Sequence, residues 1–101
     1  MTQALEIARF TLHPEHAEDF LASTDAMLDT IRRHFDGLLH FQRAKLEDGS
    51  YVDLVLWRSL DDAQRAAAGV MEIPEFAKCF ASIDRVVEMI HGDLTASRDF
   101  R

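Results

Sequence analysis

The sequence predicts an α+β fold of ferredoxin-like type, with the order βαββαβ, an antiparallel four-stranded sheet and two helices on one face of it. Three observations carry that expectation. Two apolar segments flank Asp48-Gly49 and read as a hairpin. Two stretches with three- and four-residue apolar spacing read as helices, and each is followed by a strand-like segment. At 101 residues the chain is expected to form one domain with one core.

The first strand is expected over Ala4–His13, bounded by Pro14. Leu5, Ile7, Arg9 and Thr11 lie on one parity, and Glu6, Ala8, Phe10 and Leu12 on the other. Pro14 suits the first turn of a helix, and Glu15, Glu18 and Asp19 complement its dipole. Ala17, Phe20, Leu21, Thr24, Leu28, Ile31 and Phe35 recur at helical spacing, so one helix of about five turns is expected, ending at Gly37.

Residues 38–46 and 51–59 follow as paired strands, with Asp48-Gly49 supplying the positive φ of a tight turn. Ser59 is placed as N-cap of the second helix, with Asp62 in the capping-box position. Pro74 divides that helix into two pieces. Arg85–Leu94 is the last strand, and 95–101 a polar tail.

The third strand, "YVDLVLW", is apolar on both parities, whereas helices can cover only one face. Val52, Leu54 and Leu56 therefore call for a second sheet against the bare side, which a homodimer provides. Composition restricts the other partners. With 18 acidic and 11 basic side chains the net charge of −7 opposes phosphate backbones and anionic lipid surfaces, so neither nucleic acid nor a membrane is an expected partner. No apolar run approaches a membrane span, no secretory signal is evident at the start, and the single Cys79 fits a reducing compartment; the expected location is cytoplasmic. Cys79 adjoins the apolar stripe of a helix and reads as a buried, unreactive thiol.

The segments "IARFTLHPEHAEDFL" and "FDGLLHFQ", and above all "VLWRSLDDAQ", resemble the antibiotic biosynthesis monooxygenase-like proteins of the dimeric α+β barrel superfamily, over roughly residues 4 to 94. The resemblance implies two protomers pressing their sheets together, each with a pocket between its own sheet and helices. The superfamily's cofactor-independent, quinone-forming oxygenases carry a Trp at the position of Trp57 and an Asn at that of Asp53; their helical Tyr falls on Ala63. In the haem-degrading members an Asn falls on Ala8 and the haem-ligating His on Phe80, so haem chemistry is not expected, and no cofactor is.

Alternation puts Tyr51, Asp53, Val55 and Trp57 on one face of the third strand, the face that the resemblance places under the helices. Buried there, Asp53 would have a raised pKa and could take a proton from a phenol or enol, while Trp57 offers a flat wall and an N–H for the developing oxyanion. These two are the candidate catalytic residues; Tyr51, Val55, His91, Phe10 and Phe80 are the candidate substrate-binding ones. Against catalysis stand ligand binding without turnover and a purely structural reading, with Trp57 filling the core and Asp53 bonded to a neighbouring Arg or to water. A metal site is not expected, because Pro14 separates His13 and His16 across a strand-to-helix junction. His40 reads as a structural strand residue, and His34 as a partner of the helix dipole.

Overall fold

A computed structural model describes residues 2–100. The elements run β1 (Ala4–Leu12), α1 (Ala17–Ala22), α2 (Thr24–His34), β2 (Leu38–Lys45), β3 (Tyr51–Trp57), α3 (Leu60–Gly69), α4 (Pro74–Ala81) and β4 (Ile83–Asp93), with short 3-10 turns at Pro14–His16 and Val70–Glu72. The four strands form one antiparallel sheet in the order β2-β3-β1-β4. This is the ferredoxin-like α+β fold that the order of elements predicts, with the helices over one face.

The five-turn first helix of the sequence reading is interrupted at Ser23. Ser23 Oγ donates to the Phe20 carbonyl and Thr24 Oγ1 to the Leu21 carbonyl, both at 2.9 Å. Hydroxyls bonded back to the preceding turn compete with the helical ladder, so α1 and α2 meet at a hitch. Pro74 opens α4, and Ser59 caps α3, accepting from the Asp62 N–H at 3.1 Å. The Asp62 carboxylate does not close the capping box. It accepts from Ser59 Oγ at 3.0 Å and is gripped by Arg58 at 2.8 and 3.1 Å. That grip holds its pKa below the usual carboxylate range.

The β2–β3 turn has Gly49 at φ 88°, and Asp48 accepts from the N–H and hydroxyl of Ser50 at 2.9 and 2.6 Å. These hydrogen bonds, aided by Arg9, lower the Asp48 pKa to about 2. Residues 95–100 carry no helix or strand, and Arg101 lies outside the described residues. No helix among the described residues is long and apolar enough to cross a membrane.

Strand register places the site. On the helix-facing side, cross-strand neighbours form four rungs: Leu38–Trp57–Ala4–Asp93, then Phe41–Val55–Glu6–His91, then Arg43–Asp53–Ala8–Met89, then Lys45–Tyr51–Phe10–Val86. Two buried clusters fill the space between this side and the helices. Ala4, Val55, Trp57, Ala63 and Ala66 form one, with Ile31 and Phe35 packed against it; Phe10, Phe20 and Tyr51 form the other. The opposite side carries Leu5, Ile7, Val52, Leu54, Leu56 and Ile90 in adjacent register, and among the described residues no helix or second sheet covers it.

Candidate functional site

A cavity of about 280 Å³ opens between the helix-facing side of the sheet and α2, α3 and α4. Its floor includes Glu6, Ala8, Phe10, Asp53, Val55 and Trp57, and its walls are apolar, from Ile31 and Phe35 on one side to Phe76 and Phe80 on the other. The small Ala8, set between Asp53 and Met89 on the third rung, leaves the floor open at the middle of the sheet. Val86 and Met89 of the edge strand β4 line the cavity and are 59% and 45% exposed, so the cavity is open to solvent along that edge.

Trp57 is 2% exposed and packs against three alanines, Ala4, Ala63 and Ala66, whose size makes room for the indole. Its Nε1–H is buried and has no hydrogen-bond acceptor. An unpaired buried donor costs about 1–3 kcal/mol, so this group holds unused hydrogen-bonding capacity at the cavity floor.

Asp53 lines the cavity from the third rung, clamped by Arg43: Nε donates to Oδ1 at 2.6 Å and Nη2 to Oδ2 at 3.1 Å. Arg43 is itself held. Its Nη1 donates to Thr24 Oγ1 at 2.6 Å, and its guanidinium lies 4.9 to 5.7 Å from the ring centres of Phe20, Phe41 and Phe10. Burial pushes the Asp53 pKa up by more than the Arg43 contacts bring it down. The arginine partner belongs to the structural reading of Asp53 and the cavity-lining position to the functional one; the residue has both.

Glu6, one rung away on the neighbouring strand, is the second carboxylate of the floor. Its Oε1 lies 3.1 Å from His91 Nε2. Burial raises its pKa, against the pull of His91 and of the Trp57 N–H, and the negative charge of Asp53 adds to the rise. The Trp57 N–H thus acts on Glu6 without forming a hydrogen bond of acceptable geometry to it.

Of the residues singled out from the sequence, Asp53, Trp57, Val55, Phe10 and Phe80 meet at this cavity. Tyr51 stands outside its wall, stacked on Phe10 with ring centres 5.9 Å apart, and His91 stands behind Glu6. Glu6 and Arg43 were not singled out. The signal for Glu6 was its parity, which it shares with Ala8 and Phe10; the signal for Arg43 was its parity with Phe41, two residues earlier in the strand. Cys79 is half-buried and lines the cavity. Among the described residues no group of three or more His, Cys, Asp or Glu is placed to hold a metal ion, and the His13 and His16 rings stand 6.3 Å apart and edge-on.

A strand that ends in Trp57 directly before a Ser59-capped helix, in a ferredoxin-like frame, leads to the comparison with known proteins. The model of the antibiotic biosynthesis monooxygenase family matches residues 4–81. The chain belongs to that family. No curated protein sequence matches it.

Solved structures of similar fold include these three. A variant of SnoaB, a cofactor-independent oxygenase from Streptomyces nogalater, is 25% identical over 98% of this chain and 97% of its own, with a TM-score of 0.64. A monooxygenase from Streptomyces coelicolor, crystallised with nanaomycin D, is 13% identical over 99% of this chain and 94% of its own, with a TM-score of 0.69. A dimeric ferredoxin-like protein from an uncultured marine organism is 13% identical over 100% of this chain and 95% of its own, with a TM-score of 0.71. The cavity floor of this family member carries two ionisable pairs, Arg43–Asp53 and Glu6–His91.

Proposed function

We propose that this protein binds a small electron-rich aromatic or polyketide-like compound and oxygenates it with molecular oxygen and no cofactor, as the protomer of a homodimer. The observation that carries this reading is the apolar cavity whose floor holds two carboxylates of raised pKa beside an unpartnered indole N–H. Apolar walls suit a planar ring system, and the few polar groups converge where a ligand would be oriented. Membership of the family supports the reaction class, as does the likeness to a cofactor-independent oxygenase.

The chemistry is within reach of such a site. Removing a proton from an activated ring CH₂ or phenol leaves an electron-rich anion, which can reduce oxygen directly. In a CH₂ to C=O conversion one oxygen atom enters the substrate, and the other leaves as water with the two hydrogens. The protein's part is to take the proton, stabilise the anion and exclude bulk water. Support for the dimer is the uncovered apolar side of the sheet, on which Val52, Leu54 and Leu56 are only partly buried within one chain.

The test is oxygen uptake by metal-free protein supplied with a hydroxylated anthrone. Uptake with formation of the quinone supports the oxygenase. Binding of the compound with no uptake supports the second reading, a ligand-binding protein without turnover, which the clamp of Arg43 on both oxygens of Asp53 favours.

A further inference from the structure

Glu6 has a hydrogen-bonding deficit on one side and Trp57 has the opposite one. The Oε1 of Glu6 is engaged by His91; the Trp57 N–H pulls on the same carboxylate but completes no hydrogen bond to it, and among the described residues no other donor reaches Oε2. The Trp57 Nε1–H is a buried donor without an acceptor. Register makes the two residues diagonal neighbours: Glu6 faces Val55, and Trp57 lies two residues further along β3 on the same side. Both line the cavity.

An unfilled acceptor beside an unfilled donor is the complement of a hydroxyl group, which donates through hydrogen and accepts through its lone pairs. We propose that Glu6 and Trp57 together seat an ionisable hydroxyl of the ligand, a phenol or enol, with Glu6 as the proton acceptor and His91 as its positioning residue. The proposal deepens the reading of this cavity as a small-molecule site and rests on it. In the proton step the ligand O–H bond breaks, its electron pair stays on the ligand oxygen facing Trp57 Nε1–H, and the proton forms a new O–H bond at Glu6 Oε2. No oxidant is needed.

Asp53 does not compete for the role, because both of its oxygens already accept from Arg43, which Thr24 and three aromatic rings hold in place. Around Glu6 the ionisable groups are Asp53 from β3 and His91 from β4, while α2, α3 and α4 bring to the cavity apolar side chains and Cys79.

The test is calorimetric titration of the full chain with naphthol and with its methyl ether, which keeps the ring and loses the donor. The expected result is that naphthol binds about tenfold more tightly or better, since the ether leaves the Glu6 acceptor unpaired. Equal affinities in the unmodified protein overturn the proposal without recourse to any variant. Glu6→Gln should erase most of the preference, whereas His91→Gln should keep it and shift the pH at which it is lost; an unchanged pH profile overturns the positioning role. A hydroxyl preference without oxygen uptake leaves this proposal standing and defeats the oxygenase reading, while oxygen uptake with equal affinities does the reverse.

Discussion

Arg43 holds both carboxylate oxygens of Asp53, at 2.6 and 3.1 Å, in the third rung of the sheet. The side chains are 10% and 13% exposed, so the pair is largely desolvated. From the sequence, a lone buried Asp53 predicts that Asp53→Asn stabilises the protein by removing a desolvation cost. The clamp reverses that sign. The amide cannot match a bidentate carboxylate, and the caged guanidinium loses its counter-charge. Burial outweighs the Arg43 contacts for Asp53 as an acid, but the Asn side chain turns an NH2 donor against a guanidinium N–H that it should accept, so Asp53→Asn is expected to destabilise by about 1–3 kcal/mol in urea unfolding. A raised unfolding midpoint would contradict the clamp.

Gly37 provides a test independent of the cavity. Its φ of 96° is costly for any other residue, and a Cβ there would lie 2.5 Å from Asp62 Oδ2 and 2.8 Å from its Cγ. Asp62 cannot yield, because Arg58 and Ser59 hold it in place. Gly37→Ala should therefore cost roughly 1–3 kcal/mol from backbone strain and steric conflict. Thermal unfolding within a degree of the unmodified protein would show that the turn can rearrange.

The uncovered side of the sheet gives a third prediction. Leu54 lies at its centre on β3, between Ile7 of β1 and Gln42 of β2. If a second copy covers it, Leu54→Asp places an unpaired charge in the interface at a cost of several kcal/mol, on the order of the burial penalty for a carboxylate. Sedimentation should then show a dimer for the unmodified chain and a monomer, or unfolded protein, for the variant. A folded dimer with unchanged melting would place the contact elsewhere.

The pH dependence follows from Glu6. Its pKa in the folded protein is raised above 4.5, chiefly by burial, so the folded state holds its proton over a range in which the unfolded chain has released it. In that range the native state binds more protons, and stability falls as pH rises through it; below the ordinary value both states are protonated and the cost is absent. Glu6→Gln removes the effect. The melting temperature of the variant relative to the unmodified protein should thus rise as pH increases from about 4.5. A difference that is flat, or that moves the other way, would mean that Glu6 is not held in a desolvated site.

The fold was legible because each element carried its own signal: Asp48-Gly49 for the hairpin, Ser59 for the cap, Pro74 for the break between α3 and α4. The hitch at Ser23 was not, since Ser and Thr at helical spacing look the same whether their hydroxyls face solvent or the preceding carbonyls. Half of the floor could be read from strand three alone, where alternation set Asp53, Val55 and Trp57 on one side. The other half depended on pairing. Glu6 meets His91 across a separation of 85 residues, and Arg43 meets Asp53 only once the register of the hairpin is fixed. The structural reading allows Asp53 an arginine partner, but only the register of the hairpin identifies that partner as Arg43.

Trp57 is the only tryptophan in the chain, so its indole N–H gives a single side-chain resonance in a nitrogen-resolved proton spectrum. The group is buried at the cavity floor and unpartnered. The claim that this cavity is the ligand site requires that resonance to report directly on binding: titration with a hydroxylated anthrone under anaerobic conditions should move it progressively downfield to saturation as the ligand oxygen accepts its hydrogen bond. A resonance that stays in place at ligand concentrations that saturate binding measured by calorimetry would put the ligand somewhere else.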